Sequence, residues 1–250
     1  MGATGAAVVV GGASGIGAAV ADLYRAKGQP VVVWDIAGQP DVKCDVADPE
    51  AVARAMVETV EQVGVPGPVT ITAGVGHAAM LLDESVEDWD RVMAVNLRGP
   101  WLVMRAMART LIDASTPGSF IATSSVSARL VDRSMSTYCA SKAALSMLVK
   151  VAADEWGPHG LRVNAVGPGV TQTPMLGDAP TGRGWWGAVE DRTPLGRLGQ
   201  PEDIAEAVLA LHDLQWITGQ IIEVDGGLGL HSPIDAYGEN VRLSVQASAR

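Results

Sequence analysis

Hydrophobic positions along this chain change period in a regular alternation. Short apolar runs rich in β-branched residues occupy 6–10, 31–34, 69–72, 119–124, 161–166 and 220–224. Their length and near-continuous hydrophobicity are those of strands buried on both faces. Between them lie stretches near 49–63, 86–112, 134–156 and 201–213 whose apolar residues recur every three or four positions, as on amphipathic helices. An earlier helix is marked by Ile16, Ala19, Val20 and Leu23, with Gly28 as its stop. A further short strand is expected near 41–44. Strand and helix in strict alternation predict an α/β, doubly wound architecture: a central parallel sheet of about seven strands with helices on both faces. No repeat, low-complexity tract or linker interrupts it, so the 250 residues are expected to form one domain.

The first strand runs directly into Gly11-Gly12-Ala13-Ser14-Gly15-Ile16-Gly17 and then into the first helix. That order aims backbone N–H groups and a helix N-terminus at a phosphate. The glycines at 11, 15 and 17 give G-x-x-x-G-x-G; the standard Rossmann fingerprint G-x-G-x-x-G is absent. Small residues here let a pyrophosphate approach the backbone and let the helix pack close to the sheet. Asp35 closes the second strand, eighteen residues after Gly17. A carboxylate there accepts hydrogen bonds from both adenosine ribose hydroxyls and repels a 2′-phosphate, and no Lys or Arg follows in Ile36-Ala37-Gly38-Gln39 to welcome one. The expected cofactor is NAD rather than NADP.

Tyr138 and Lys142 lie four residues apart, on one face of a helix. A free phenol has a pKa of roughly 10, and a neighbouring cation favours the phenolate. Lowering that pKa by about three units takes roughly 4 kcal/mol, more than one lysine supplies, so an oxidised nicotinamide ring is a natural second positive charge.

In these motifs the chain resembles the short-chain dehydrogenase/reductase family, over residues 6 to about 229. The glycine turn resembles the family's T-G-x-x-x-G-x-G, with Val10 in the threonine's place. Cys44-Asp45-Val46 resembles the segment whose aspartate contacts the adenine amino group. Ile71-Thr72-Ala73-Gly74 stands at the family's N-N-A-G, without either asparagine, which predicts altered rigidity rather than lost binding. Asn96 matches the tetrad asparagine, and Ser125, thirteen residues before Tyr138, the catalytic serine. Pro168-Gly169 matches the turn after the sixth strand, and 217–220 through 224–227 the closing strand.

The resemblance implies a Rossmann-fold oxidoreductase that interconverts a secondary alcohol and a ketone. Tyr138 would be general base or acid. Lys142 would lower its pKa and bond the nicotinamide ribose, Ser125 would orient the substrate oxygen, and Asn96 would hold a helix kink and a water linking Lys142 to solvent. Ser124 and Ser127 are rivals to Ser125; Ser124 would point to the other side of the strand end. Cofactor contacts are implied for Gly11, Ser14, Gly15, Ile16, Gly17, Asp35, Asp45, Val46, Ala73, Gly74, Tyr138, Lys142, Pro168, Gly169, Val170, Thr171 and Thr173. The alternative is a catalytically idle NAD-binding protein serving as redox sensor or structural partner, which has no need of a complete Asn96–Ser125–Tyr138–Lys142 set. A hydrolase is disfavoured because Ile16 replaces the last glycine of a G-x-S-x-G elbow around Ser14.

Composition narrows the partners. A net charge of −10 argues against nucleic acid. No apolar stretch nears the roughly 20 residues of a membrane span. The first residues lack a secretion signal's charged n-region, and Ala6 stands where a myristoylation signal wants Ser or Thr, so the cytoplasm is the expected location. Cys44 and Cys139 are expected to be free thiols, and the four histidines have no metal-ligand spacing. His77 is either a loop residue or an edge of the active site. Substrate choice is assigned to 172–197, a candidate lid. Its Met175, Leu176, Trp185 and Trp186 predict an apolar or cyclic alcohol or ketone, or else a tryptophan anchoring the loop to the core or to a subunit interface. Asp178, Arg183, Glu190, Asp191 and Arg192 are expected to be solvated. The tail from 228 to 250 exceeds what sheet closure needs; its 231–237 stretch could reach a neighbouring subunit, since relatives with this pattern commonly form homotetramers.

Overall fold

The valine runs at 8–10 and 31–33 leave the backbone little alternative to extended structure, and they pair in parallel, Val8 opposite Val32 and Val9 opposite Val33. They belong to β1 (Ala7–Val10) and β2 (Val31–Asp35) in a computed structural model that describes residues 5–177 and 184–230. β3 (Val42–Lys43), β4 (Val69–Ile71), β5 (Gly118–Thr123), β6 (Leu161–Pro168) and β7 (Ile221–Val224) complete one sheet of order β3-β2-β1-β4-β5-β6-β7, every pair parallel. The expected architecture and sheet are therefore present.

Alternate strand residues feed two cores. Val8, Val10, Val32 and Trp34 point to the layer formed by α2 (Pro49–Val63), α4 (Gly99–Asp113) and α5 (Ser136–Trp156), where Met56, Met107 and Val149 meet them. Ala7, Val9 and Val33 point to the opposite layer, where α1 (Gly15–Ala26) and α7 (Pro201–Asp213) contribute Val20, Tyr24, Ile204 and Val208. Burial on both faces explains why the strands read as unbroken apolar runs. Trp34 is fully buried, and its indole N–H donates to Thr59 Oγ1 at 2.8 Å.

Three local expectations need correction. The helix expected over 86–112 is α3 (Val86–Met93), a π-helical turn at Ala94–Arg98, and then α4. The extra residue swings Asn96 into the interior, and Gly99 lets the helix approach Val46, whose Cγ2 would lie 2.7 Å from a Cβ there. The helix expected from 134 begins at Ser136, because Ser134 holds a left-handed φ of 69°. The buried face of α1 is Gly17, Val20, Ala21 and Tyr24; Ile16, Ala19 and Leu23 pack at its edge.

Within the candidate lid the structure adds a helix that the glycine-flanked sequence did not announce, α6 (Gly184–Arg192). Residues 178–183, with Asp178 and Arg183, and the tail from 231 onward lie outside the described residues. No described helix is long and apolar enough to cross a membrane.

Candidate active site

The strand order reverses direction between β1 and β4, leaving a crevice at the carboxyl ends of the strands, where doubly wound folds place their ligands. A cavity of about 1000 Å³ opens there. It is lined by every cofactor-contact residue named from the sequence, and by Ser125, Tyr138 and Lys142. Asn96 is not on its wall.

At one end the glycine turn leaves no room for side chains. Gly11 has a φ of 80°, and a Cβ on it would lie 2.5 Å from the backbone nitrogen of Ala73. A Cβ on Gly17 would lie 2.1 Å from the Gly11 carbonyl oxygen and 2.5 Å from Thr72 Oγ1. Gly17→Ala is therefore expected to separate α1 from β1, costing about 1–3 kcal/mol or more and abolishing nucleotide binding; thermal melts and NADH titration check it. α1 has no acidic residue in its first turn, and its N-cap Ser14 makes no side-chain cap bond, so the helix N-terminus offers its N–H groups to the cavity. This donor set and the Cβ-free floor fit a dinucleotide pyrophosphate.

Asp35, beside the turn, has Oδ2 accepting from the Ala13 N–H at 3.0 Å and Oδ1 accepting from the N–H groups of Ile36 and Ala37 at 2.7 and 3.1 Å. Asp45 Oδ1 accepts from the Ala47 N–H. Thr72 replaces what the missing asparagines would supply: its hydroxyl donates to the carbonyls of Val10 and Gly11 at 2.9 and 3.0 Å, tying the end of β1 to the segment after β4.

At the other end, α5 carries Tyr138 and Lys142, the lysine Nζ 5.6 Å from the phenol ring centre. Lys142 is buried and donates to the Thr123 carbonyl at 2.8 Å; burial pulls its pKa down to about 8. Burial also pushes the Tyr138 phenol up, with the adjacent Ser125 hydroxyl opposing and the Asp132 charge reinforcing. The expected lowering of the phenol by Lys142 is outweighed here by burial, and the ammonium is held at the Thr123 carbonyl.

Ser125 and Ser124 separate as strand alternation requires. Ser124, Ser125 and Ser127 all border the cavity, but the Ser124 hydroxyl is buried against α5, 2.7 Å from Ser146 Oγ. Ser125 Oγ donates to Ser127 Oγ at 3.1 Å, and Ser127 donates to the Asp132 carboxylate. Nothing in the sequence flagged Asp132, six residues before Tyr138.

Asn96 stands behind the wall. Its Oδ1 accepts from the Val75 N–H, and its Nδ2 donates to the Val75 carbonyl and to Ser141 Oγ. A Cβ on Gly74 would sit 3.4 Å from Asn96 Oδ1 and 3.6 Å from Lys142 Nζ, so that glycine keeps open the space between the two.

The lid contributes Met175, Leu176 and Trp185 to the wall. The two tryptophans divide the roles left open by the sequence: Trp185 is half-exposed on the cavity, and Trp186 packs inward, the rings edge to face at 4.9 Å. Arg192, expected to be solvated, also lines the cavity. His77 does not; it is a loop residue 3.6 Å from Asp88. Among the described residues no group of three or more His, Cys, Asp or Glu is placed to hold a metal, and Cys44 and Cys139 are free thiols.

Residues 11–229 match a family model described as Enoyl-(Acyl carrier protein) reductase. The chain is 37% identical to a (3R)-3-hydroxyacyl-CoA dehydrogenase of Canis lupus familiaris, covering 89% of this chain and 95% of that one. It is 34% identical to a cis-4-hydroxycyclohexanecarboxylate dehydrogenase of Sinomonas cyclohexanicum, over 88% and 95% of the two chains. The ligand-free structure of an aldohexose dehydrogenase from Thermoplasma acidophilum superposes with a TM-score of 0.86 at 28% identity, over 92% and 96%.

Proposed function

The chain belongs to the short-chain dehydrogenase/reductase family of oxidoreductases, which use a nicotinamide cofactor, and from that premise we propose that it interconverts a secondary alcohol and a ketone with NAD(H). The observation that carries this reading is one cavity lined by a phosphate-binding turn and Asp35 at one end and by Ser125, Tyr138 and Lys142 at the other.

When bound, the nicotinamide supplies the hydride acceptor or donor. The chain's own groups handle position and protons. Tyr138 takes the hydroxyl proton of the alcohol in one direction and returns it in the other. Ser125 holds the substrate oxygen by turning its hydroxyl to it from Ser127 Oγ, the resting acceptor that Asp132 anchors. Lys142 holds the ribose side of the site and keeps positive charge near the phenol. Asn96 holds the π-helical turn and, through the space at Gly74, the route from Lys142 toward solvent. The apolar wall of Met175, Leu176 and Trp185 suits an apolar or cyclic substrate, with 172–197 as its lid. One domain, working in the cytoplasm as a homotetramer, completes the reading; the exposed Trp101, Met147 and Val151 on α4 and α5 support self-association.

NAD reduction measured against a panel of secondary alcohols tests the reaction. Inactivity across a broad panel by protein that still binds NADH would favour the idle binder instead. For the cofactor, Asp35→Ser is expected to shift the NADPH-to-NADH affinity ratio toward NADPH by about 10–100-fold, since a like charge beside the ribose is removed. Tighter binding of NADPH than NADH by the unaltered protein would overturn the role given to Asp35.

A further inference from the structure

α6 turns three residues to the cavity, Trp185, Val189 and Arg192. Their spacing of four and three places them on one helix face. Two are apolar and the last is a guanidinium. Among the described residues Arg192 makes no hydrogen bond or ion pair. In a chain of net charge −10, Arg25, Arg54, Arg91, Arg129 and Arg197 each meet a carboxylate, whereas the two guanidiniums on the cavity wall, Arg133 and Arg192, meet none among the described residues. The carboxylates among the cavity's described lining residues are engaged elsewhere: Asp35 and Asp45 by backbone N–H groups, and Asp132 by Ser127. Arg192 thus brings an unmatched positive charge to the same cavity as Tyr138 and Ser125.

We propose that Arg192 binds a carboxylate of the substrate, and that the substrate is a hydroxy acid whose apolar body lies against Trp185 and Val189 while its secondary hydroxyl meets Tyr138 and Ser125. This rests on the oxidoreductase reading and names its substrate class. A planar guanidinium matches a carboxylate with two parallel hydrogen bonds, and Trp185 and Val189 offer apolar surface beside it on the same helix face. Arg133 is the other guanidinium on the wall, but it also borders the neighbouring groove of Met80 and Leu81 and serves as the comparison.

The test uses NADH-saturated protein and two ligands that cannot react, cyclohexanecarboxylate and cyclohexanecarboxamide, titrated by calorimetry. The carboxylate is expected to bind about 10–100-fold more tightly, the range of a charge-assisted bond. That preference should fall to within about threefold in Arg192→Gln, persist in part in Arg192→Lys, and survive in Arg133→Gln. Turnover of 4-hydroxycyclohexanecarboxylate against 4-methylcyclohexanol should show the same discrimination in KM. Equal binding of acid and amide, or loss of the preference in Arg133→Gln instead, overturns the proposal. Turnover of the neutral alcohol without preference for the acid overturns it while leaving the oxidoreductase reading standing. Turnover of neither overturns this substrate class and leaves the oxidoreductase reading to the broad alcohol panel. An arm with 3-hydroxybutyryl-CoA separates a carboxylate from coenzyme A phosphates: an Arg192→Gln defect confined to that thioester also overturns the proposal.

Discussion

Tyr138→Phe is expected to lower kcat by about 100- to 10,000-fold while NADH binding stays within about threefold. The first figure is the range contributed by a positioned acid–base group. The second takes the lower end of the about 0.5–1.5 kcal/mol that a net hydrogen bond contributes, because the phenol would be one of many contacts to the nucleotide. Phenylalanine keeps the ring on α5 and removes only the group that exchanges the proton. The site makes that group irreplaceable: Lys142 donates to the Thr123 carbonyl, and Ser125 points its own proton toward Ser127. Neither is set up to accept a hydroxyl proton. Burial holds the phenol above its ordinary pKa and the lysine down at about 8, opposing charge on both. Positive charge brought beside the phenol would tip it toward phenolate. Stopped-flow or steady-state NADH formation, with fluorescence titration of NADH, measures both quantities. A variant retaining a third or more of wild-type kcat would remove Tyr138 from the reaction.

What the sequence revealed and what it hid divide along a physical line. Features set by local spacing were legible. The glycine turn, Asp35 at its strand end, the Tyr138–Lys142 face and the opposite senses of Ser124 and Ser125 each depend on residues within one element and its cap. Features set by contacts between distant segments were not. A π-helical turn keeps nearly the same apolar rhythm as an α-helix, and this one is anchored by Asn96 bonding Val75, twenty-one residues earlier. The orientation of α6 depends on packing that nine residues flanked by glycine do not encode, so the sequence shows Arg192 as a solvated charge, which it is, but not that it borders the cavity. Where the lysine points is hidden for the same reason: helical spacing brings the two side chains together, but the Thr123 carbonyl on β5 decides where the ammonium is held. Thr72 was visible only as a missing asparagine, until its hydroxyl proved to bond two carbonyls at the end of β1.

His212 is expected to make the fold acid-sensitive well above the range where carboxylates titrate. It is buried at the end of α7, with Nε2 3.1 Å from Thr70 Oγ1 on β4 and Nδ1 2.9 Å from Ser119 Oγ on β5. Burial, and secondarily the Arg162 charge, lower its pKa from 6.5 to about 3. Between those values the unfolded chain takes up a proton that the folded chain refuses, so protonation favours unfolding. The stability tied to neutral His212 is present in full above pH 6.5 and is lost progressively as pH falls toward 3. At pH 5 the loss is about 2 kcal/mol, or roughly 4–8 °C in Tm for a domain of this size. The Asp203 carboxylate, at about 2 beside Arg197, loses its contribution mainly below about pH 4 and so adds little between pH 7 and pH 5. His212→Gln keeps a polar bridge and removes the titration, so it should melt lower at pH 7 yet lose far less between pH 7 and pH 5 than the wild type. Parallel pH slopes for the two proteins would acquit His212. Because it joins β4 to β5, and these strands lead into the Ala73–Gly74 wall and Ser125, the same protonation should loosen nucleotide binding before the chain unfolds. NADH affinity that holds steady to pH 5 while Tm falls would separate the two effects.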